Sequence, residues 1–247
     1  MTSWNSSSSP PEPSADLALF LDFDGTLIEI ADSPSLVVVP ETLPSILTAV
    51  QAALKGAIAI VSGRTINSLA VLLAPADLTM AGEHGALLRR AGEEYAHVLS
   101  HWPIAWRERL AEFARTRPGV EIEEKVGGLV IHYRRAPQAA EAAHHLAHAL
   151  AQESGGAFAV LPAKMAYELR RPNADKGSAV RELMSAPPFK GRKPVFIGDD
   201  ITDYDGFAAV EALGGVALHV EQSFAGQPSR VRAWLRSFCQ PTEGKME

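Results

Sequence analysis

The sequence predicts an α/β protein: a Rossmann-like, doubly wound parallel sheet carrying an inserted α+β module. Three observations lead there. Short apolar runs at 19–21, 57–61 and 194–197 alternate with helical patterns. Each run ends in polar residues, as strands do at the carboxyl edge of an α/β sheet, where ligands bind. Between about Ser100 and Arg171 the rhythm changes, and strand patterns come in adjacent pairs.

The opening run Leu19-Phe20-Leu21 is apolar throughout, as a strand buried on both faces must be. It gives way to Asp22 and Asp24, and Gly25 supplies the turn that leaves the strand. Residues two apart on an extended chain point the same way, so both carboxylates are expected to converge on one spot. Residues 40–54 then carry Leu43, Ile46, Leu47, Val50 and Leu54 at helical spacing, and Gly56 stops the helix. Residues 57–61 form a second buried strand, followed at once by Ser62-Gly63-Arg64. A helix is expected over 65–73, then a short apolar strand over 78–81 that runs into Gly82-Glu83-His84-Gly85.

In the changed region, 103–115 reads as an amphipathic helix. Strands over 120–125 and 129–133 pair across Gly127-Gly128. An alanine- and leucine-rich helix covers 139–152, and a second strand pair covers 157–161 and 165–169. The inserted cap is therefore set at 101–172, and the core at 15–100 with 173–247. After the return, Asp175 is a good N-cap for a helix reaching Met184. A third buried strand, 194–197, leads into Gly198-Asp199-Asp200-Ile201-Thr202-Asp203. A short strand over 215–220 and a helix over 231–238 close the domain.

Composition bounds the function. The chain has 247 residues, 47% hydrophobic and 21% charged, with a formal net charge of −6. That charge argues against general binding to nucleic acid or an anionic membrane, while leaving a phosphorylated small molecule open. One cysteine, Cys239, rules out an intramolecular disulfide. No apolar run approaches a membrane span, and residues 1–14, rich in Ser and Pro, read as a disordered lead-in without a secretory signal. A cytoplasmic monomer is expected.

The chemistry sits at three strand ends. Asp22 and Asp24, Ser62, and Asp199, Asp200 and Asp203 meet on one edge of a parallel sheet, and Lys176 opens a helix that can reach it. Carboxylates without His or Cys suit Mg²⁺ better than zinc. Such a set fits phosphoryl transfer. Cations neutralise the phosphoryl oxygens, and a hydroxyl orients them. One carboxylate attacks phosphorus, and a second gives a proton to the leaving oxygen. Ser62 could instead cap the following helix, Asp200 and Asp203 could be caps or solvated charges, and Arg64 could pair with a surface carboxylate. His144, His145 and His148 read as a solvated helix face, and His84 as a structural histidine.

Asp22-Phe23-Asp24-Gly25-Thr26, Ser62, Lys176 and Gly198-Asp199-Asp200 with Asp203 resemble, in order and spacing, the four motifs of the haloacid-dehalogenase (HAD) superfamily of phosphatases. The resemblance spans 19–203. It implies Asp22 as nucleophile, Asp24 as acid and base, and Asp199 as a Mg²⁺ ligand beside Asp22 and the Asp24 main-chain carbonyl. It places Asp200 and Asp203 in the metal site as well.

The insert resembles the cap of the trehalose-6-phosphate phosphatases. Ala81-Gly82-Glu83-His84-Gly85, Glu123-Glu124-Lys125, His132-Tyr133-Arg134, Glu168-Leu169-Arg170 and Asp175-Lys176-Gly177 carry that likeness. It implies that Arg64, Glu123, Lys125, Arg134 and Glu168 bind substrate, with the four insert residues expected on strands. That family commonly continues its fourth motif with Glu, where this chain has Tyr204 and then Asp205. The expected reaction is hydrolysis of trehalose 6-phosphate. A capped phosphatase for another sugar phosphate, such as sucrose phosphate, and a catalytically silent sugar-phosphate sensor are the alternatives.

Overall fold

The computed structural model describes residues 9–31, 36–93, 104–124, 128–163, 165–170 and 175–239. The chain divides into two compact units, Met1–Glu94 with Asp175–Glu247, and Tyr95–Ala174. The stretch 101–172 expected as the insert falls inside the second.

The first unit is a six-stranded sheet in the order β10-β9-β1-β2-β3-β4. Its strands are β1 (Leu17–Leu21), β2 (Ile58–Val61), β3 (Thr79–Gly82), β4 (Leu87–Arg89), β9 (Lys193–Gly198) and β10 (Val216–His219). Every pairing is parallel except that of β4 with β3. All of β1 and β2, and all but the first residue of β9, are buried, as their continuous apolar runs require. Around the sheet run α1 (Leu43–Ala53), α2 (Ile66–Leu72), α5 (Lys176–Met184), α6 (Tyr204–Ala212), α7 (Val220–Ser223) and α8 (Pro228–Ser237). β1 lies between β9 and β2, with Leu21 in register with both Ile197 and Ile60. The chain steps one way from β1 through β2 to β3, and later the other way from β9 to β10. The ends of β9, β1 and β2 are thus neighbours at the point where the winding reverses.

The second unit contains α3 (Ile104–Arg115), β5 (Glu121–Glu124), β6 (Gly128–His132), α4 (Ala140–Glu153), β7 (Ala159–Ala163) and β8 (Ala166–Arg170). Its sheet is antiparallel, in the order β5-β6-β8-β7. Leu129, Ile131 and Leu169 alternate onto one face and pack with Trp106, Leu110 and Phe113 of α3 and Ala143, Ala147 and Leu150 of α4. The other face is free of those helices, and Glu123, Val130, Glu168 and Leu161 stand in one row across it.

Two expectations need correction. The lead-in is placed from residue 9, where the Trp234 indole N–H donates to the Pro11 carbonyl at 3.0 Å and ties the segment down. Residues 1–8 lie outside the described residues, as do the Gly127 turn position and the return hinge at Pro172 and Asn173. Arg134, expected on a strand, lies exposed in the turn after β6, which ends at His132. Among the described residues no helix is long and apolar enough to cross a membrane.

Candidate active site

Asp22 is the first residue beyond β1, and its backbone N–H donates to Ile197 of β9 at 2.9 Å. Lys176 is the first residue of α5. Asp175 caps that helix through a reciprocal pair of hydrogen bonds with Ser178, which fixes where the lysine begins. The Lys176 ammonium donates to Asp22 Oδ1 at 2.6 Å and to Asp203 Oδ1 at 2.5 Å, and all three side chains are buried. The other oxygen of Asp203 accepts from the backbone N–H groups of Asp199 and Asp200, each at 3.0 Å. Gly198 makes room for this arrangement, since a Cβ there would stand 2.3 Å from the Asp203 carboxyl carbon.

Asp199 completes the cluster. Its Oδ1 accepts from the buried Thr26 hydroxyl at 3.3 Å. It lies over Gly25, whose φ of +78° turns the chain and whose missing Cβ would fall 2.0 Å from Asp199 Oδ2. Carboxylate oxygens of Asp22, Asp199 and Asp203 come within 4.8 Å of one another. Three carboxylates face one ammonium, which leaves two negative charges unmatched. One divalent cation would balance them.

The electrostatics reflect that crowding. Burial pushes the Asp22 carboxyl up to about 8, Lys176 pulls it down, and Asp203 and Asp199 push it up again. Burial also raises Asp199, helped by Asp203 and Asp200 and opposed by the Thr26 hydrogen bond. At Lys176 burial works against the charge, but Asp22 and Asp203 outweigh it and the ammonium is held above its ordinary value. Hard oxygen donors with a surplus of negative charge fit Mg²⁺. Asp22, Asp199 and Asp203 each have a carboxylate oxygen within reach of one position. Asp203 also holds Lys176 and the loop that carries Asp199.

Asp24 is not one of the three clustered carboxylates. Its two oxygens accept from the Arg64 guanidinium, from Nε at 2.6 Å and from the terminal nitrogen at 2.7 Å. The two aspartates thus have different partners, although both lie beyond β1 and ahead of the Gly25 turn. Ser62, directly after β2, is buried, and its oxygen accepts from the Arg64 N–H at 3.2 Å. It does not cap α2; Thr65 does that by accepting from Ser68. The Ser62 hydroxyl keeps its own proton to donate.

The trehalose-phosphatase family model matches residues 20–233 of this chain. The chain belongs to the trehalose-phosphatase family. Trehalose-6-phosphate phosphatase of Escherichia coli K12 is 36% identical over 248 residues, covering 96% of this chain and 92% of that protein. A probable trehalose-phosphate phosphatase of Sinorhizobium fredii is 37% identical over 205 residues, covering 82% and 77%. Among solved structures, Aspergillus fumigatus trehalose-6-phosphate phosphatase superposes with a TM-score of 0.64 at 23% identity, covering 90% of this chain and 92% of that one. A haloacid dehalogenase-like hydrolase from Bacteroides thetaiotaomicron gives 0.55 at 16%, covering 88% and 98%. These last two show the shared fold.

The residues expected in the site do not all fall together. Asp22, Lys176, Asp199 and Asp203 are brought together, and Ser62, Asp24 and Arg64 form a second set linked by hydrogen bonds. Asp200 stands apart from the cluster. It is exposed, and its carboxylate accepts from the Ile201 N–H at 2.6 Å, so it acts as the cap it also resembled. Glu123 and Glu168 share a face of the second unit, and Glu123 is paired with His132 Nε2 at 2.9 Å. Lys125 lies outside the described residues.

Sequence reasoning passed over two residues. Thr26 holds Asp199, and its signal was the threonine fixed directly after the Asp-Gly turn. Arg170 stands on the Glu168 face, two residues on, with a buried Nε that has no partner among the described residues.

Proposed function

We infer that this chain is a Mg²⁺-dependent phosphatase that hydrolyses trehalose 6-phosphate to trehalose and phosphate through an aspartyl-phosphate on Asp22. The Asp22–Lys176–Asp203–Asp199 cluster supports the chemistry. The observation that carries the substrate is the reach of the family match, 20–233, which runs through the second unit as well as the first.

Asp22 and Asp199 would hold Mg²⁺ together with the Asp24 main-chain carbonyl. The ion supplies neutralisation of charge on the phosphoryl oxygens. Lys176, kept protonated by two carboxylates, adds fixed positive charge, and the Ser62 hydroxyl donates to a phosphoryl oxygen. Asp22 attacks phosphorus, and the bond to the sugar oxygen breaks while Asp24 delivers a proton to it. Asp24, then a carboxylate, takes a proton from the water that cleaves the aspartyl-phosphate and regenerates Asp22. We assign recognition of the sugar to Glu123, Lys125, Arg134 and Glu168. No step calls for a second chain, nucleic acid or a membrane, and the expected setting is a cytoplasmic monomer.

The test is phosphate release from a panel of sugar phosphates in Mg²⁺, compared by kcat/KM. Clear preference for trehalose 6-phosphate is the expected result. Preference for sucrose phosphate would reassign the substrate. Release from no member would make the chain a binding protein.

A further inference from the structure

The family resemblance implies that Arg64 binds substrate. Arginine beside a phosphate site usually suggests a clamp on the phosphoryl group. Here both arms of its fork are given to Asp24, at 2.6 and 2.7 Å, with the Arg64 side chain only 11% exposed. The residue is itself fixed from several directions. Its guanidinium lies 5.6 Å from the Phe23 ring centre, in cation–π range. Its backbone N–H donates to Ser62 Oγ at 3.2 Å, and its carbonyl accepts from the Glu83 N–H at 2.9 Å. The arginine is thus anchored to the phosphate-orienting serine on one side and to the loop after β3 on the other.

We propose that Arg64 is a positioning residue for Asp24, setting the direction in which that carboxyl presents its proton to the leaving oxygen. The inference rests on the reading of Asp24 as acid and base. Each carboxylate oxygen has two lone-pair sites, and the fork takes one on each. The remaining sites are left in the carboxylate plane and turned away from Arg64, which is where a leaving oxygen and later a water would be met. A lone aspartate at 36% exposure would rotate freely about χ2, and a planar two-point contact removes that freedom. A lysine supplies charge but one point of contact, so it cannot substitute.

The role predicts dependence on the leaving group. Aryl phosphates whose phenol departs readily need little protonation, and alkyl phosphates need much. The experiment measures kcat and KM for a graded series of aryl phosphates and for trehalose 6-phosphate, in wild type, Arg64→Ala, Arg64→Lys, Asp24→Asn and the Arg64→Ala/Asp24→Asn double variant. Thermal unfolding is followed in each. Arg64→Ala should lose about tenfold or more in kcat on poor leaving groups relative to p-nitrophenyl phosphate, with little change in KM. Arg64→Lys should resemble Arg64→Ala. On the Asp24→Asn background, removal of Arg64 should change nothing beyond about twofold, since there is no acid left to position.

An equal loss across the series with raised KM would place Arg64 on the phosphoryl group and overturn the proposal. Additive losses in the double variant would do the same. If Asp24→Asn is graded by leaving group but Arg64→Ala is not, only this inference fails. If Asp24→Asn is itself ungraded, the reading of Asp24 fails and this inference with it. The aryl series gives these answers even if trehalose 6-phosphate is not the substrate.

Discussion

Lys176 and Asp22 stand 154 positions apart in the chain and 2.6 Å apart in space, joined in a buried ion pair that Asp203 completes from the other side. The lysine starts α5 at a capping box, and the aspartate directly follows a central strand. Neither side chain has freedom to drift. A fixed ammonium between two fixed carboxylates costs no reorganisation when charge develops on a phosphoryl group beside it.

Replacing that lysine by methionine should therefore act on both activity and stability. Turnover should fall by about 10² or more. Removing one partner of a buried pair costs about 3–5 kcal/mol. The cost should be smaller at low pH, where Asp22 holds a proton in both proteins, than well above pH 8, where only the native chain has an ammonium to accept its charge. Denaturant unfolding of Lys176→Met and the native chain at about pH 5.5 and about pH 9.5 checks this. Equal destabilisation at both would show that the charge on Asp22 is not the cause.

The same carboxyl links metal to pH. Asp22 is pushed from 3.8 up to about 8 in the metal-free fold. The folded protein therefore holds a proton that the unfolded chain releases. The stability this group contributes is full below about pH 4 and is lost as pH rises through about 8. Asp199, raised as well, acts in the same direction. Mg²⁺ competes with those protons, so its stabilising effect should grow over the same window. Thermal unfolding with and without saturating Mg²⁺ should show a larger metal-induced rise in Tm at about pH 8 than at about pH 5.5. A rise independent of pH would detach the cation from Asp22 and Asp199.

How much of this was readable beforehand differs from element to element. β1, β2 and β9 were legible because buried central strands are written as unbroken apolar runs, and their polar endings marked the active edge. The N-cap at Asp175 was legible from residue type alone. α6 was not foreseen: its buried side consists of Gly206, Phe207, Ala209 and Val210, too small and too few to stand out as a helical stripe. β4 has three half-buried residues and pairs antiparallel at the sheet edge. The Asp24–Arg64 fork joins positions 40 apart, and no local pattern reports which of two neighbouring aspartates an arginine will choose. Arg134 lies just past the strand pattern of 129–133, and the ladder itself ends at His132, so the side chain falls in the turn rather than on the sheet.

On the second unit, the register sets Glu123 and Glu168 on either side of Val130. If they read the sugar, Glu168→Ala should lower kcat/KM for trehalose 6-phosphate by about tenfold to a hundredfold, the worth of a charged hydrogen bond. It should leave p-nitrophenyl phosphate within about twofold, since that substrate offers no sugar. Parallel kinetics on the two substrates decide it. An equal loss on both would give Glu168 a structural role instead.

The most direct test of the whole account is the rate of phosphate release from trehalose 6-phosphate by Asp22→Asn in saturating Mg²⁺. Phosphate monoesters are among the slowest of all compounds to hydrolyse unaided, so a chain without its nucleophile has little to fall back on. The expected result is a loss of more than about 10³-fold in kcat with the protein folded and still able to bind the substrate. A variant that kept a rate near that of the native chain would contradict covalent catalysis by Asp22.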